Sequence, residues 1–177
     1  MNGALSAVLR PFLGICLLQH RPQDLPAAQL LFVITAVAYA LSNIILAATY
    51  MNPARASLCG AAEAVLMLSI MYILLALRGV PRRWLQTGVA ISGTGTLFSL
   101  VGLPLFMVIT RANAAGPWQM AAYLAVMGLL AWNVAVLGHI LRHALSIPMI
   151  AGVVVAIAYL WGVSAVLAAV FPAESIA

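Results

Sequence analysis

Lysine is absent from this chain of 177 residues, and only three residues are acidic. Charged residues of both signs make up 6% of the sequence, against roughly 25% in an average soluble domain. Eleven charged side chains cannot cover a water-exposed surface, so lipid must cover most of it. All eight basic residues are arginine. They form no basic face interleaved with aromatics, so nucleic acid is not an expected partner. Arginine without lysine reads as genome composition rather than chemistry.

Cysteine is scarce as well. Cys16 and Cys59 make no disulfide framework and read as small apolar side chains. There is no nucleophile elbow, zincin helix, cysteine pair or carboxylate pair. A catalytic role, a metal and a cofactor are therefore not expected. The N-terminus lacks the form of a cleaved signal peptide, because Arg10 and Pro11 interrupt its apolar run and no small-residue cleavage site follows.

What the chain does contain is apolar runs long enough to cross about 30 Å of hydrocarbon. Five are expected, at 27–50, 53–78, 83–109, 117–141 and 148–171. Their boundaries carry helix punctuation. Asn52-Pro53 reads as an N-cap with proline at the first helical position, and Gly79 with Pro81 reads as a stop. Short connections predict that consecutive helices are antiparallel neighbours. Leu5, Val8, Leu9, Phe12, Leu13, Cys16 and Leu17 recur at helical spacing beside Arg10, Gln19, His20 and Arg21. Residues 1–26 are therefore expected to form an amphipathic helix in the interface, bent or capped at Arg10-Pro11, with a turn after it. Residues 172–177 form a short tail. The expected class is an all-α membrane protein, five transmembrane helices preceded by an interfacial helix.

Arginine counts suggest an orientation. Arg10, Arg21, Arg78, Arg82, Arg83 and Arg142 lie on one side, and Arg55 and Arg111 on the other. The excess predicts a cytoplasmic N-terminus and a C-terminus on the periplasmic or extracellular side of a bacterial inner membrane. Trp84, Trp118 and Tyr50 are placed as interface anchors, and Trp132 and Trp161 as residues packed between helices.

One side chain dominates the functional reading. Glu63 is the single carboxylate well inside a span, ten residues beyond Pro53, or roughly 15 Å along a helix. No arginine lies at its depth, so it should face the bundle interior as a neutral acid that donates a hydrogen bond. Pairing the first two spans about Met51-Asn52 brings it near Tyr39, Ser42 and Asn43. Pairing the second and third about Val80-Pro81 brings Ser99 to similar depth. This set, Glu63, Tyr39, Ser42, Asn43 and Ser99, is either a buried polar clamp or a proton or ion site. Gly88, Ser92 and Thr96, with Gly95 and Ser99 offset, form a small-residue face for a neighbouring helix. Pro104 is expected to kink the end of that helix. His139 and His143 share a helix face, too few ligands for a metal. Asn133 reads as an interhelical hydrogen-bonding residue.

The stretch Arg83-Trp-Leu-Gln-Thr-Gly-Val-Ala, continuing to Ser99-Leu-Val-Gly-Leu-Pro104-Leu, is similar to the third span of the Yip1 family in its bacterial branch. Trp132-Asn-Val-Ala-Val-Leu-Gly-His139, followed by Leu145-Ser-Ile, resembles that family's turn from the fourth span to the fifth. The resemblance covers residues 27–171. It implies a non-enzymatic membrane protein. The first reading is a multi-pass inner-membrane protein of this type that acts through helix–helix or partner contacts, in membrane organisation or as a subunit of a membrane complex, with the lipid bilayer and a membrane-protein partner or a second copy of itself as partners. The small-GTPase partners of eukaryotic members are not carried over. The alternative from the residues themselves is a small transporter or channel component centred on Glu63.

Overall fold

The computed structural model describes residues 10–111 and 117–172. Five helices carry the fold: α1 Gln29–Ala47, α2 Pro53–Leu77, α3 Trp84–Arg111, α4 Pro117–Leu145 and α5 Met149–Val170. All five are long and apolar enough to cross a membrane, with mean hydropathy between 1.7 and 2.4. The chain is an all-α, membrane-embedded protein. Backbone groups have no water to bond to in hydrocarbon, and helices satisfy them internally.

The helix ends follow the sequence closely because capping is local. The Asn52 side chain accepts from Arg55 N at 2.9 Å. Gly79 takes φ 76°. Its N–H bonds Ala76 O at 3.0 Å while Val80 N bonds Leu75 O at 2.9 Å, the double bond of a Schellman stop. Span one ends at Ala47, earlier than the expected Tyr50, because residues 48–51 fold into turns. Span four runs on to Leu145, where Ser146 at φ 54° ends it ahead of Pro148. The third helix continues through Pro104.

The order of the helices differs from the chain order. α1 packs extensively on both α2 and α3, whereas α2 and α3 touch sparsely. Consecutive spans two and three are thus not the neighbours expected from their short connection. A 3-10 turn at Pro81–Arg83 carries the chain past the start of α1, which occupies the space between them. The cause is shape. Phe32 sits where a Cβ on Gly88 would lie, Tyr39 where one on Gly95 would lie, and Ser99 donates to Asn43 Oδ1 at 2.7 Å. α1 and α3 are parallel, with a constant offset of 56 residues along this seam. The small-residue face of α3 is therefore filled inside the molecule. α4 follows α3, α5 follows α4, and α5 returns to α2, where Tyr159 Oη donates to Met67 O at 2.6 Å. The five helices form a ring in the order α2, α1, α3, α4, α5.

One end of the ring is closed by backbone contact and by arginine. At the near end, where α1 begins, Gly138 and Gly152 bring α4 and α5 into backbone contact: a Cβ on Gly152 would lie 2.5 Å from Gly138 O. Arg83 Nη1 donates to His143 O, Ala144 O and Ser146 Oγ at 3.1, 2.8 and 2.8 Å, satisfying the last carbonyls of α4. Gly128 and Gly162, ten residues farther along their helices, have no neighbour within 4 Å of a Cβ position, and Gly128 lies on the exposed face of α4.

Residues 10–16 are helical through Pro11, and Leu18 at φ 60° closes the turn that follows. Residues 1–9 of the expected interface helix lie outside the described residues, as do residues 173–177. The apolar face of residues 10–16 meets the bundle rather than lipid. Ile15 is fully buried, and Phe12 sits on Gly93 of α3, where a Cβ would approach its ring to 2.2 Å. Trp132 and Trp161 also differ from expectation: they are 45% and 74% exposed, so they face lipid. Lipid accepts an indole as readily as a helix interface does, and depth alone does not fix which way it points. Trp84 packs against Phe32 and Tyr72, with ring centroids 5.3 and 5.5 Å apart.

Two outcomes test this packing. Gly152→Leu should lower stability by about 1–3 kcal/mol or more, because backbone cannot yield to the new side chain, whereas Gly128→Ala should change it by less than about 0.5 kcal/mol. Unfolding of purified protein in mixed micelles reads both. Burial pushes the Cys16 thiol up to about 11. Its maleimide labelling should be slow at pH 7 and rise roughly tenfold per pH unit towards pH 10, since the thiolate is the reactive form. Fast labelling at pH 7 in a Cys59→Ser background would contradict the half-buried placement of Cys16.

Candidate intramembrane site

Tyr39 and Glu63 both lie near the middle of their helices, ten residues from Gln29 and Pro53 respectively. α1 and α2 cross closely because Gly60 leaves room for Ile44; a Cβ there would meet Ile44 N at 2.8 Å. That crossing puts Tyr39 Oη 3.2 Å from Glu63 Oε1, with the hydroxyl donating and the carboxyl accepting. An acid accepts through this oxygen whether or not it is ionised, so the contact suits a neutral Glu63 as well as a charged one. Tyr39 is itself wedged by Gly95 behind it.

Of the other residues singled out, Asn43 and Ser99 form one interhelical pair, one turn beyond Tyr39. Ser42 does not join them. It is buried, but its hydroxyl donates to Tyr39 O within its own helix at 2.9 Å. A residue one step along a helix points about 100° away, so Ser42 and Asn43 cannot share a face. Arg55, at the start of α2, donates to Pro172 O beyond the end of α5.

Two cavities meet at the Tyr39–Glu63 pair. One, of about 390 Å³, lies between α1, α3 and α4, and Asn43, Thr94, Phe98, Ser99 and Asn133 are among its walls. The other, of about 330 Å³, lies between α1, α2 and α5, bounded by Tyr50, Cys59 and Tyr159 among others. Tyr39, Glu63, Met67 and Leu160 line both. The larger cavity has the size of small-molecule sites. Its walls are mainly aliphatic and aromatic, and neither arginine nor histidine is among them. Met127 and Leu130, which line it, are also 55% and 51% exposed on the lipid-facing surface. The cavity therefore reaches the lipid-facing surface beside α4.

No protein family, curated protein or solved structure matches the chain. The reading of the site therefore rests on its geometry.

The turn between the first two spans placed Tyr39, Ser42 and Asn43 near Glu63, and the structure brings Tyr39 to it. Sequence reasoning missed Thr94 and Tyr159, and it read Asn133 as a hydrogen-bonding residue where the structure places it in the cavity wall. Thr94 and Asn133 become visible only once α1 is known to separate α2 from α3. The histidines are apart from this site. His139 and His143 pack edge to face at 4.7 Å, and His139 Nε2 lies 3.0 Å from His20 O. Among the described residues no group of three or more His, Cys, Asp or Glu side chains is placed to hold a metal.

Tyr39→Phe removes the hydroxyl while keeping the ring against Gly95. It should cost about 0.6–2 kcal/mol of stability, measured by the same unfolding titration. A cost indistinguishable from zero would show that the contact is absent in the membrane.

Proposed function

We propose that this multi-pass protein is non-catalytic and serves as a small transport or channel component, with Glu63 at the centre of an intramembrane binding site. The observation that carries this reading is the meeting of two cavities at one mid-membrane carboxyl. A purely structural clamp would be sealed by packed side chains, and the near end of this same molecule shows such sealing. At Glu63 the packing stops on both sides. Intramembrane ionisable groups are costly and typically face a pathway or a partner. The arginine asymmetry supports placement in a bacterial inner membrane with the N-terminus cytoplasmic.

A second reading has its own support. Ala121, Ala125 and Gly128 form an exposed small-residue stripe on α4, the kind of face on which another transmembrane helix packs closely. It fits a subunit that works through helix contacts, a role compatible with the resemblance of residues 27–171 to the Yip1 family. Recovery of only the protein itself, or of nothing, in a mild-detergent pull-down would count against the subunit reading.

Glu63→Gln distinguishes transport from a clamp, since glutamine keeps a hydrogen bond but does not titrate. In proteoliposomes carrying an internal pH dye, the wild type should dissipate an imposed pH step faster than empty liposomes. Glu63→Gln should reduce that excess rate at least tenfold while its melting temperature stays within a few degrees. Equal rates for wild-type and empty liposomes would reject the proton-linked form of the proposal.

A further inference from the structure

The polar groups of the larger cavity divide into those spent within the protein and those left open. Tyr39 Oη donates to Glu63 Oε1, and Thr94 Oγ1 donates to Ala90 O at 2.7 Å. Ser99 Oγ donates to Asn43 Oδ1, and the Asn43 amide nitrogen is sealed from the cavity and turned towards Tyr39. Two groups remain. Glu63 Oε2 makes no hydrogen bond among the described residues and is not sealed by them, so it is open to the cavities. Asn133, half-buried in the wall, makes no hydrogen bond among them either.

These two open groups lie at similar depth. Leu129 of α4 is 3.5 Å from the Cβ position of Gly102 on α3. One turn along each antiparallel helix, Asn133 is level with Phe98. That is within about one helical turn, roughly 5 Å, of the Gly95 notch that holds Tyr39 against Glu63. The titratable side chains around Glu63 are Tyr39 and Tyr50 from the α1 side, Cys59 from α2 and Tyr159 from α5. α3 and α4 present none. Among the described residues no cationic side chain lines either cavity.

From this we infer that the larger cavity binds a lipophilic ammonium ion, a protonated amine on an apolar body, whose N–H groups donate to Glu63 Oε2 and Asn133 Oδ1 while the body lies against Phe98, Phe106 and Leu130. The inference rests on the cavity being a site centred on Glu63, as proposed above, and adds the chemistry it selects. A carboxylate at mid-membrane requires a cation beside it. The protein supplies none, so the ligand brings it. Charge-assisted hydrogen bonds are about twice as strong as neutral ones, and the aromatic walls attract a cation as well. A bare divalent metal ion needs about six oxygen ligands, and only Glu63 and Asn133 have open oxygens here. An anion is repelled by Glu63. A neutral ketone accepts from the Asn133 amide but brings Glu63 no charge, and a hydrocarbon satisfies neither group.

The test is equilibrium binding to the full-length protein in detergent micelles at pH 7, where an alkylamine is cationic. Three probes share one apolar body: phenylbutylamine, phenylbutanone and butylbenzene, each corrected for uptake by protein-free micelles. Saturable retention of the amine is expected, at least tenfold tighter than that of the other two. Glu63→Gln should weaken it at least tenfold, the effect of losing a charge-assisted bond. Asn133→Leu should weaken it about tenfold, and it strips no other residue of a partner. A Cβ on Gly102 would meet only Leu129 at 3.5 Å and Phe106 at 3.9 Å, so Gly102→Leu fills the cavity at ordinary contact distances and should abolish retention. Melting temperatures within a few degrees of the wild type show that each variant is folded. Amine binding unchanged in either Glu63→Gln or Asn133→Leu would overturn the inference. Ketone or hydrocarbon held as tightly as the amine would overturn it too, while leaving the ligand cavity standing. If the wild type retains no probe but its Glu63-dependent proton flux persists, the ammonium inference fails and the transport reading stands; absence of both rejects both.

Discussion

The seam between α1 and α3 is the contact on which the rest of the molecule depends. Hydrocarbon offers no hydrophobic reward for bringing two helices together, so association relies on close packing and on hydrogen bonds. The seam supplies both. Two bulky rings of α1, Phe32 and Tyr39, enter two notches of α3, at Gly88 and Gly95. The pair Asn43–Ser99 follows in the same register. Rings in glycine notches give shape specificity, and the polar pair pins the register, since a slip would leave both groups unpaired in lipid.

That seam decides where the polar centre lies. With α1 between α2 and α3, Tyr39 is held by Gly95 on one side and reaches Glu63 on the other. The same insertion keeps α2 away from α3, and the ring must then close through α4 and α5. Five helices around a circle leave space at the centre that aliphatic side chains fill only in part. The cavities are thus a consequence of the helix order. They survive because the walls that enclose them are braced elsewhere.

Features set by neighbouring residues were readable from the sequence. The five spans, the Asn52 cap and the Gly79 stop depend on a few consecutive side chains, and their positions shift by at most a few residues in the structure. The neighbourhood of Glu63 was readable for the same reason, because one tight turn fixes the register of α1 on α2, but that Tyr39 rather than Ser42 or Asn43 reaches it was not. The order of α1, α2 and α3 was not readable. A short connection usually implies adjacency, and nothing local shows that Phe32 and Tyr39 match notches 56 residues away. The small-residue face of α3 was visible, but its occupant was not. The N-terminal segment shows the same limit. Its amphipathic spacing was plain, yet an apolar face suits a lipid interface and Gly93 equally, and only the notch for Phe12 decides between them.

The packing of the near end gives the site its mechanical setting. There Arg83 holds the terminus of α4, Gly138 and Gly152 lock α4 to α5, and Phe12 and Ile15 close the bundle from the N-terminal side. The carboxyl of Glu63 lies deeper, between two cavities. The contacts that position it are the Tyr39 ring in the Gly95 notch and Ile44 against Gly60, and these belong to α1, α2 and α3. The α4–α5 pair contributes cavity wall, so the placement of Glu63 and the shape of the space around it are set by different helix contacts.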